Sequence, residues 1–143
     1  LDATKVRRIV FCSGKVYFDL LERRRASKDG EVALVRIEEL YPFPTEEYQA
    51  ILDRYRGANE IVWCQEEPQN QGAWYQVRHR LNEPLTREHR LLYAGRAPAA
   101  APATGIAQMH MDQQKQLVGA ALRATSAEET LQQTSRLRAA GEK

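Results

Sequence analysis

Four short apolar runs recur along the chain, and longer segments of mixed polarity separate them. The runs are residues 7–12, 32–37, 60–65 and 89–94. Each is almost continuously apolar, which is typical of parallel strands that are buried on both faces. The intervening segments predict helices over 15–29, 45–57 and 72–82. This alternation predicts an α/β fold with right-handed crossovers, in which helices cover both faces of a mostly parallel sheet in three layers.

The helix predicted after the second strand has the clearest periodicity. Its apolar residues are spaced three and four apart and form one stripe: Tyr48, Ile51, Leu52 and Tyr55. Thr45 is the candidate N-cap, and Gly57, the last residue of the predicted segment, follows the final helical turn. The stripe indicates a helix that packs one face on the sheet.

The chain changes character after the fourth run. Residues 95–105 are rich in proline and glycine and predict an extended connector, after which a helix is expected over about 105–123. Residues 125–143 carry few apolar side chains, although Ser126 and Glu129 match a capping box. We expect one domain over 1–124 and a tail over 125–143 that is either a loosely docked helix or a frayed terminus.

Composition narrows the class of protein. The 143 residues suit one domain, and a formal charge of +2 calls for neither a nucleic acid nor a membrane surface as partner. No apolar stretch approaches the roughly 20 residues of a membrane-spanning helix. Cys12 and Cys64 each lie inside an apolar run, so we interpret them as buried free thiols, which favours a reducing compartment.

The turn after the first strand is a candidate anion site. Ser13, Gly14 and Lys15 lie where a parallel strand leads into a helix, a place where open sheets often bind ligands. Arg96 follows the fourth strand and is expected at the same sheet edge. The turn matches neither a dinucleotide nor a nucleoside-triphosphate fingerprint, so a simple tight turn is the alternative interpretation.

A second candidate follows the third strand, in the stretch QEEPQNQGAWY over 65–75. Adjacent residues of an extended segment point to opposite sides, so Glu66 and Glu67 are poorly placed to act as an acid/base pair. We expect an interface role for Glu66, Glu67, Asn70 and Trp74, with Pro68 ending the strand. The three histidines are far apart in sequence, so we predict no metal site and no catalytic set in this chain.

Several long motifs resemble a known family. They are VFCSGKVYFDL, VRIEELYPFP, WCQEEPQNQGAWY, YAGRAPAAAPATG and HMDQQKQLV. In this order and spacing, from about Val6 to about Leu122, they resemble the C-terminal end of the thiamine diphosphate-dependent first component of the 2-oxoglutarate dehydrogenase complex. The related family acting on 2-oxoadipate is similar too, and this stretch separates the two poorly.

The resemblance implies a transketolase-like C-terminal domain of an oxidoreductase of the tricarboxylic acid cycle. The full-length enzyme would use thiamine diphosphate and Mg²⁺, held by upstream domains, to decarboxylate 2-oxoglutarate and transfer the succinyl group to lipoyl. Implied partners are those upstream domains, a homodimer partner and the lipoyl-bearing second component. The implied location is the bacterial cytoplasm or the mitochondrial matrix. Such domains begin with an antiparallel strand, for which LDATK leaves little chain, so a sheet edge could be exposed.

Three functions from different classes therefore stay open at this point. The first is a non-catalytic structural and interface domain of that enzyme, with a regulatory anion site at Ser13, Gly14, Lys15 and Arg96. The second is an independent small-molecule-binding α/β module. The third is a self-contained oxidoreductase, which the missing dinucleotide fingerprint disfavours.

Overall fold

The computed structural model describes residues 1–99 and 107–122. Its strands are β1 (Arg8–Cys12), β2 (Val32–Arg36), β3 (Glu60–Pro68) and β4 (Arg90–Arg96). Its α-helices are α1 (Val16–Ser27), α2 (Thr45–Arg54), α3 (Trp74–Asn82) and α4 (Ala107–Ala121). The predicted strands and helices are all present, with ends shifted by a few residues. The predicted tail, 125–143, and most of the connector lie outside the described residues.

The sheet is parallel throughout and has the order β2-β1-β3-β4. β1 pairs with β2 on one side and with β3 on the other, in a register that places Cys12 beside Cys64. The chain thus reverses its winding direction between β1 and β3. In open parallel sheets, such a switch point creates a crevice at the carboxyl ends of the strands.

Each face of the sheet carries its own apolar core. One face packs against α2 and α3. The strands contribute Ile9, Phe11, Ile61, Trp63 and Tyr93, and the helices contribute Tyr48, Leu52, Trp74, Val77 and Leu81. The other face packs against α1 and α4. The strands contribute Val10, Cys12, Val62, Cys64 and Ala94, and the helices contribute Val16, Leu20, Leu117, Val118 and Ala121. Successive strand residues alternate between the two cores, which explains why the runs lack a polar period. The predicted three-layer α/β architecture is confirmed.

Two local predictions need correction, the end of β3 and the cap of α2. β3 continues to Pro68 through an irregular register after Cys64, so the strand is longer than the apolar run. Pro68 is its last residue, as proline's missing N–H dictates. Thr45 is the first residue of α2 instead of its cap, and Pro44 occupies the cap position. Ala3–Lys5 forms one turn of 3₁₀-helix that Asp2 caps, and the described residues contain no antiparallel leading strand.

A buried arginine fixes the end of α4 at the amino edge of the sheet. Arg8 is 3% exposed, and its Nη1 donates to the carbonyls of Ala120 and Ala121, each at 3.0 Å. Its Nε donates to Glu60 Oε2 at 2.8 Å. The guanidinium thus satisfies carbonyls that a helix C-terminus leaves without a partner, and it joins α4 to the start of β1 and β3.

Candidate functional site

The crevice between β1 and β3 holds an ion pair that joins the two sequence candidates. Lys15 Nζ lies 2.9 Å from Glu66 Oε1. The Lys15 side chain is 78% exposed, whereas that of Glu66 is 20% exposed. The hydrogen bond and the charge of Glu66 raise the pKa of Lys15 above its ordinary value. The turn and the third strand therefore form one site, in which a carboxylate of the chain itself already neutralises Lys15.

Arg96 is the centre of a second set of contacts at this edge. Its Nη1 donates to the backbone carbonyl of Glu66, and its Nε donates to Gln113 Oε1 at 3.1 Å. Its Nη2 donates to Gln114 Oε1 at 3.1 Å and to the His110 carbonyl at 3.3 Å. Arg96 thus ties β4 to β3 and to α4. Because neutral oxygen acceptors occupy most N–H groups of its guanidinium, Arg96 has few donors left for a ligand.

Gln114 on α4 connects the contacts of Lys15 and Glu66 with those of Arg96. Its Nε2 donates to Glu66 Oε1 at 2.8 Å and to Asp19 Oδ2 at 2.9 Å, while its Oε1 accepts from Arg96. One amide therefore links α4, α1, β3 and β4. An anion that displaced Glu66 from Lys15 would also disturb the hydrogen bond between Glu66 and Gln114.

The turn between β1 and α1 depends on the backbone conformation of Gly14. Gly14 has φ of +80°, a region that favours glycine, and this lets the chain reverse between β1 and α1. Ser13 is half-buried and Lys15 occupies the cap position of α1 without a side-chain capping bond. Ser13, Gly14 and Lys15 thus lie together at the crevice, and Arg96 reaches the same crevice through Glu66 and Gln114.

Sequence reasoning missed the residue that shapes the loop after β3. Gln65 is buried, and its Oε1 accepts from Trp63 Nε1 at 2.9 Å and from the Trp74 N–H at 3.0 Å. Its Nε2 donates to the carbonyls of Glu67 and Pro68 at 3.2 and 3.0 Å. Gly72 is required beside it, because a Cβ there would lie 2.5 Å from Gln65 Nε2. The sequence does carry one signal for this role, because Gln65 is a polar residue at the end of an otherwise apolar run.

The other loop residues divide between surface and core. Asn70 exchanges two hydrogen bonds with the backbone of Ala99, both at 3.0 Å, and Gln71 donates to the same carbonyl at 2.9 Å. Glu67 is exposed. Trp74 is 3% exposed and packs on Tyr93 with ring centroids 5.3 Å apart, so its ring belongs to the core in this chain. An interface role for Glu66, Glu67 and Asn70 stays a prediction.

Two buried polar atoms near this loop have no hydrogen-bond partner within 1–99 and 107–122. They are Gln69 Nε2 and Trp74 Nε1. The amides of Asn70 and Gln71 thus bind loop backbone groups, whereas Gln69 Nε2 has no such partner among these residues.

Both cysteines are free and buried under α1 and α4. Burial raises the pKa of the Cys12 thiol from its ordinary value of 9.0 to about 12, and burial also raises that of Cys64. Because a thiolate is the reactive form of cysteine, neither residue is a nucleophile near neutral pH.

The parts of the chain that the structure describes contain no group of three or more His, Cys, Asp or Glu side chains placed to hold a metal ion. None of the helices in those parts combines the length and the hydropathy needed to cross a bilayer.

Comparisons with known proteins support the family resemblance that the sequence motifs indicate. Residues 1–122 match the family model described as 2-oxoglutarate dehydrogenase C-terminal. The "2-oxoglutarate dehydrogenase E1 component" of Haemophilus influenzae is 52% identical over 122 residues, which is 85% of this chain and 13% of that protein. The "2-oxoglutarate dehydrogenase, mitochondrial" of Caenorhabditis elegans is 47% identical over 115 residues, 79% of this chain and 11% of that protein. The chain thus spans roughly an eighth of the relatives it matches.

A solved structure supports the fold. The chain named "Split gene transketolase, inactive beta4 tetramer" superposes with a TM-score of 0.61 at 15% identity, covering 84% of this chain and 39% of that one. At that identity the likeness shows the transketolase-like fold alone. Taken with the family match over 122 residues, it establishes that this chain belongs to the 2-oxoglutarate dehydrogenase C-terminal family.

Proposed function

We propose that this chain is the C-terminal structural and interface domain of an enzyme that decarboxylates 2-oxoglutarate and transfers the succinyl group to lipoyl. The match of residues 1–122 to the C-terminal family model is the observation that carries the proposal. The names of the relatives reported above favour 2-oxoglutarate over 2-oxoadipate. The domain would act in the bacterial cytoplasm or in the mitochondrial matrix, as its relatives' sources suggest.

The contacts within the domain support a non-catalytic role. Lys15 and Arg96 are held by Glu66, Gln113 and Gln114, and both thiols are buried in their neutral form. Thiamine diphosphate and Mg²⁺ would be held by upstream domains of the full-length enzyme. The upstream domains, a second copy of the full-length chain and the lipoyl-bearing second component would be the partners. Glu67 and Asn70, which are exposed, would face one of them.

A chimera tests this function directly. In the Haemophilus influenzae relative, the C-terminal segment that aligns with this chain would be replaced by residues 1–122. We expect the chimera to retain thiamine diphosphate-dependent 2-oxoglutarate decarboxylation within about tenfold of the parent, since the domain supplies structure and not reacting groups. The 143-residue chain alone, with 2-oxoglutarate, thiamine diphosphate and Mg²⁺, should give no turnover. Turnover by the chain alone, or a folded chimera without activity, would contradict the proposal.

The crevice further supports a regulatory anion site at Ser13, Gly14, Lys15 and Arg96. Lys15 is exposed, and its partner Glu66 is a carboxylate for which another anion could exchange. Such an exchange would reach α4 through Gln114. We expect acyl-coenzyme A or a nucleotide, titrated into the isotope-labelled chain, to shift the backbone amide signals of Gly14 and Lys15. The variant Lys15→Met serves as control, and unchanged spectra at millimolar ligand would remove this part of the proposal.

A further inference from the structure

A second surface feature lies at the corner where β2 ends and α2 begins, away from the Lys15 crevice. A groove of about 380 Å³ opens there. Its floor is apolar: Val35 and Ile51 are half-buried, and Ile37 and the rings of Phe11 and Tyr48 lie beneath them. The floor belongs to the core that faces α2 and α3 and is therefore held rigidly by packing. The groove is a preformed recess for an apolar side chain.

The rim of the groove is acidic. Glu38, Glu39 and Glu47 contribute three carboxylates, and Arg36 is the only cation among the lining residues. Arg36 Nη1 lies 3.6 Å from Glu38 Oε1, and its guanidinium also stacks over the Phe18 ring at 5.3 Å. Within the described parts of the chain, neither Glu39 nor Glu47 has a basic side chain within 4.0 Å. The rim therefore presents two uncompensated negative charges beside the apolar floor.

The loop that borders the groove places aromatic surface in solvent. Residues 40–44 read LYPFP. Phe43 packs on Tyr48 with ring centroids 5.7 Å apart, whereas Tyr41 is 95% exposed. An exposed aromatic residue next to an apolar recess is characteristic of protein-binding surfaces, where tyrosine commonly contributes binding energy.

We propose that this groove docks a segment of a partner protein in which one large apolar side chain is flanked by lysine or arginine residues. The apolar side chain would fill the space above Val35 and Ile51. The flanking cations would pair with Glu39 and Glu47, and Tyr41 would pack along the segment. Charge complementarity argues for this occupant, because an acidic or neutral segment would leave the two carboxylates desolvated and unpaired. The inference does not depend on the enzymatic role proposed above.

The chain's own C-terminal region offers a competing occupant. Arg136, Leu137 and Arg138 combine the same two chemical features and lie outside the described residues. A test of the groove must therefore distinguish a separate partner from this segment.

Fluorescence anisotropy with a labelled peptide of sequence ARRLRRA provides the test, using the protein at moderate ionic strength. We expect saturable binding that weakens at least tenfold in the double variant Glu39→Gln/Glu47→Gln. A matched pair, Glu83→Gln/Glu88→Gln, removes the same charge elsewhere and should change binding less than twofold. The peptide ARRSRRA should bind at least fivefold more weakly, since serine cannot fill the recess.

Four results would overturn the proposal. The first is no saturable binding of ARRLRRA, and the second is an equal loss of binding in both double variants, which would indicate a general charge effect. Equal binding of ARRLRRA and ARRSRRA would show that the apolar floor is not used. Finally, a chain ending at Leu122 should bind the peptide as the full chain does. At least tenfold tighter binding by the shortened chain would identify the chain's own C-terminal region as the occupant. Circular dichroism of every variant confirms that the fold is intact.

Discussion

The two edges of the sheet each use an arginine and a similarly buried glutamate to hold α4, yet the cation paired with that glutamate is buried at the amino edge and exposed at the carboxyl edge. At the amino edge, the side chains of Arg8 and Glu60 are 3% and 19% exposed, and Arg8 binds the last carbonyls of the helix. At the carboxyl edge, Arg96 and Glu66 hold the middle of the helix through Gln113 and Gln114, and the adjacent Lys15 is 78% exposed.

The difference separates a structural contact from one that is available for binding. An ion pair removed from water is costly to break, because the remaining partner is left as an uncompensated buried charge. An exposed pair contributes little, since water replaces the lost partner. The amino edge thus holds the fold together, and the carboxyl edge can exchange partners without unfolding the chain.

Among the substitutions considered, Arg8→Met should lower the free energy of unfolding most. It leaves Glu60 without its guanidinium and the carbonyls of Ala120 and Ala121 without their donor, so we expect a loss of about 3–5 kcal/mol in the free energy of unfolding. Urea denaturation followed by circular dichroism measures this loss. The neighbouring Arg7→Met removes an exposed arginine and should cost less than about 1 kcal/mol. Equal losses in the two variants would show that the amino edge is not the stronger attachment.

Arg96→Met should lower the free energy of unfolding by an intermediate amount. It removes charge-assisted hydrogen bonds to Glu66, Gln113 and Gln114 from a half-buried position, and we expect a loss of about 2 kcal/mol. The same denaturation experiment applies, with Arg96→Lys as the matched variant. Lysine keeps the charge but cannot reach several acceptors at once, so it should recover only part of the loss. Full recovery by lysine would contradict the geometry described for the guanidinium.

Just above pH 9, below the ordinary pKa of lysine, alkaline pH should destabilise the protein mainly through the buried thiols. The folded state keeps the proton on Cys12 up to about pH 12, whereas the unfolded chain loses it above its ordinary pKa of 9.0. The contribution of this thiol to stability is therefore present below pH 9.0 and falls as pH rises, with a slope that approaches about 1.4 kcal/mol per pH unit once the unfolded thiol is fully ionised. Denaturation between about pH 9 and pH 10 measures the slope, and Cys12→Ala should make it shallower. A slope unchanged by Cys12→Ala would assign the effect to other groups.

Lys15→Met should have the smallest effect on stability. The lysine is exposed, so loss of its bond to Glu66 should cost less than about 1 kcal/mol, even at low salt. The variant should nevertheless abolish any response of the Gly14 amide signal to added anion. A loss comparable to that of Arg96→Met would mean that the carboxyl edge is as structural as the amino edge.

The motifs located the candidate site only in part. The sequence places Lys15, Glu66 and Arg96 at the ends of strands, but it predicts two separate candidate sites, one at the first turn with Arg96 and one after the third strand. The strand order joins them, since β3 lies between β1 and β4 and brings Glu66 to both cations. Gln114 was present in a recognised motif, yet its role depends on α4 folding back over the crevice, and no local pattern specifies that.

The sequence by itself determined the α/β class, the number of strands and the two-sided burial of the sheet, because continuous apolar runs and helical stripes are local consequences of which face each side chain meets. Tertiary structure alone decided the ion-pair partners, the burial of Gln65 and the acidic groove above Val35. These features join residues that are distant in the chain, such as Arg8 with Ala121 and Lys15 with Glu66. Their geometry follows from strand order and layer packing, which act only once the whole domain is assembled.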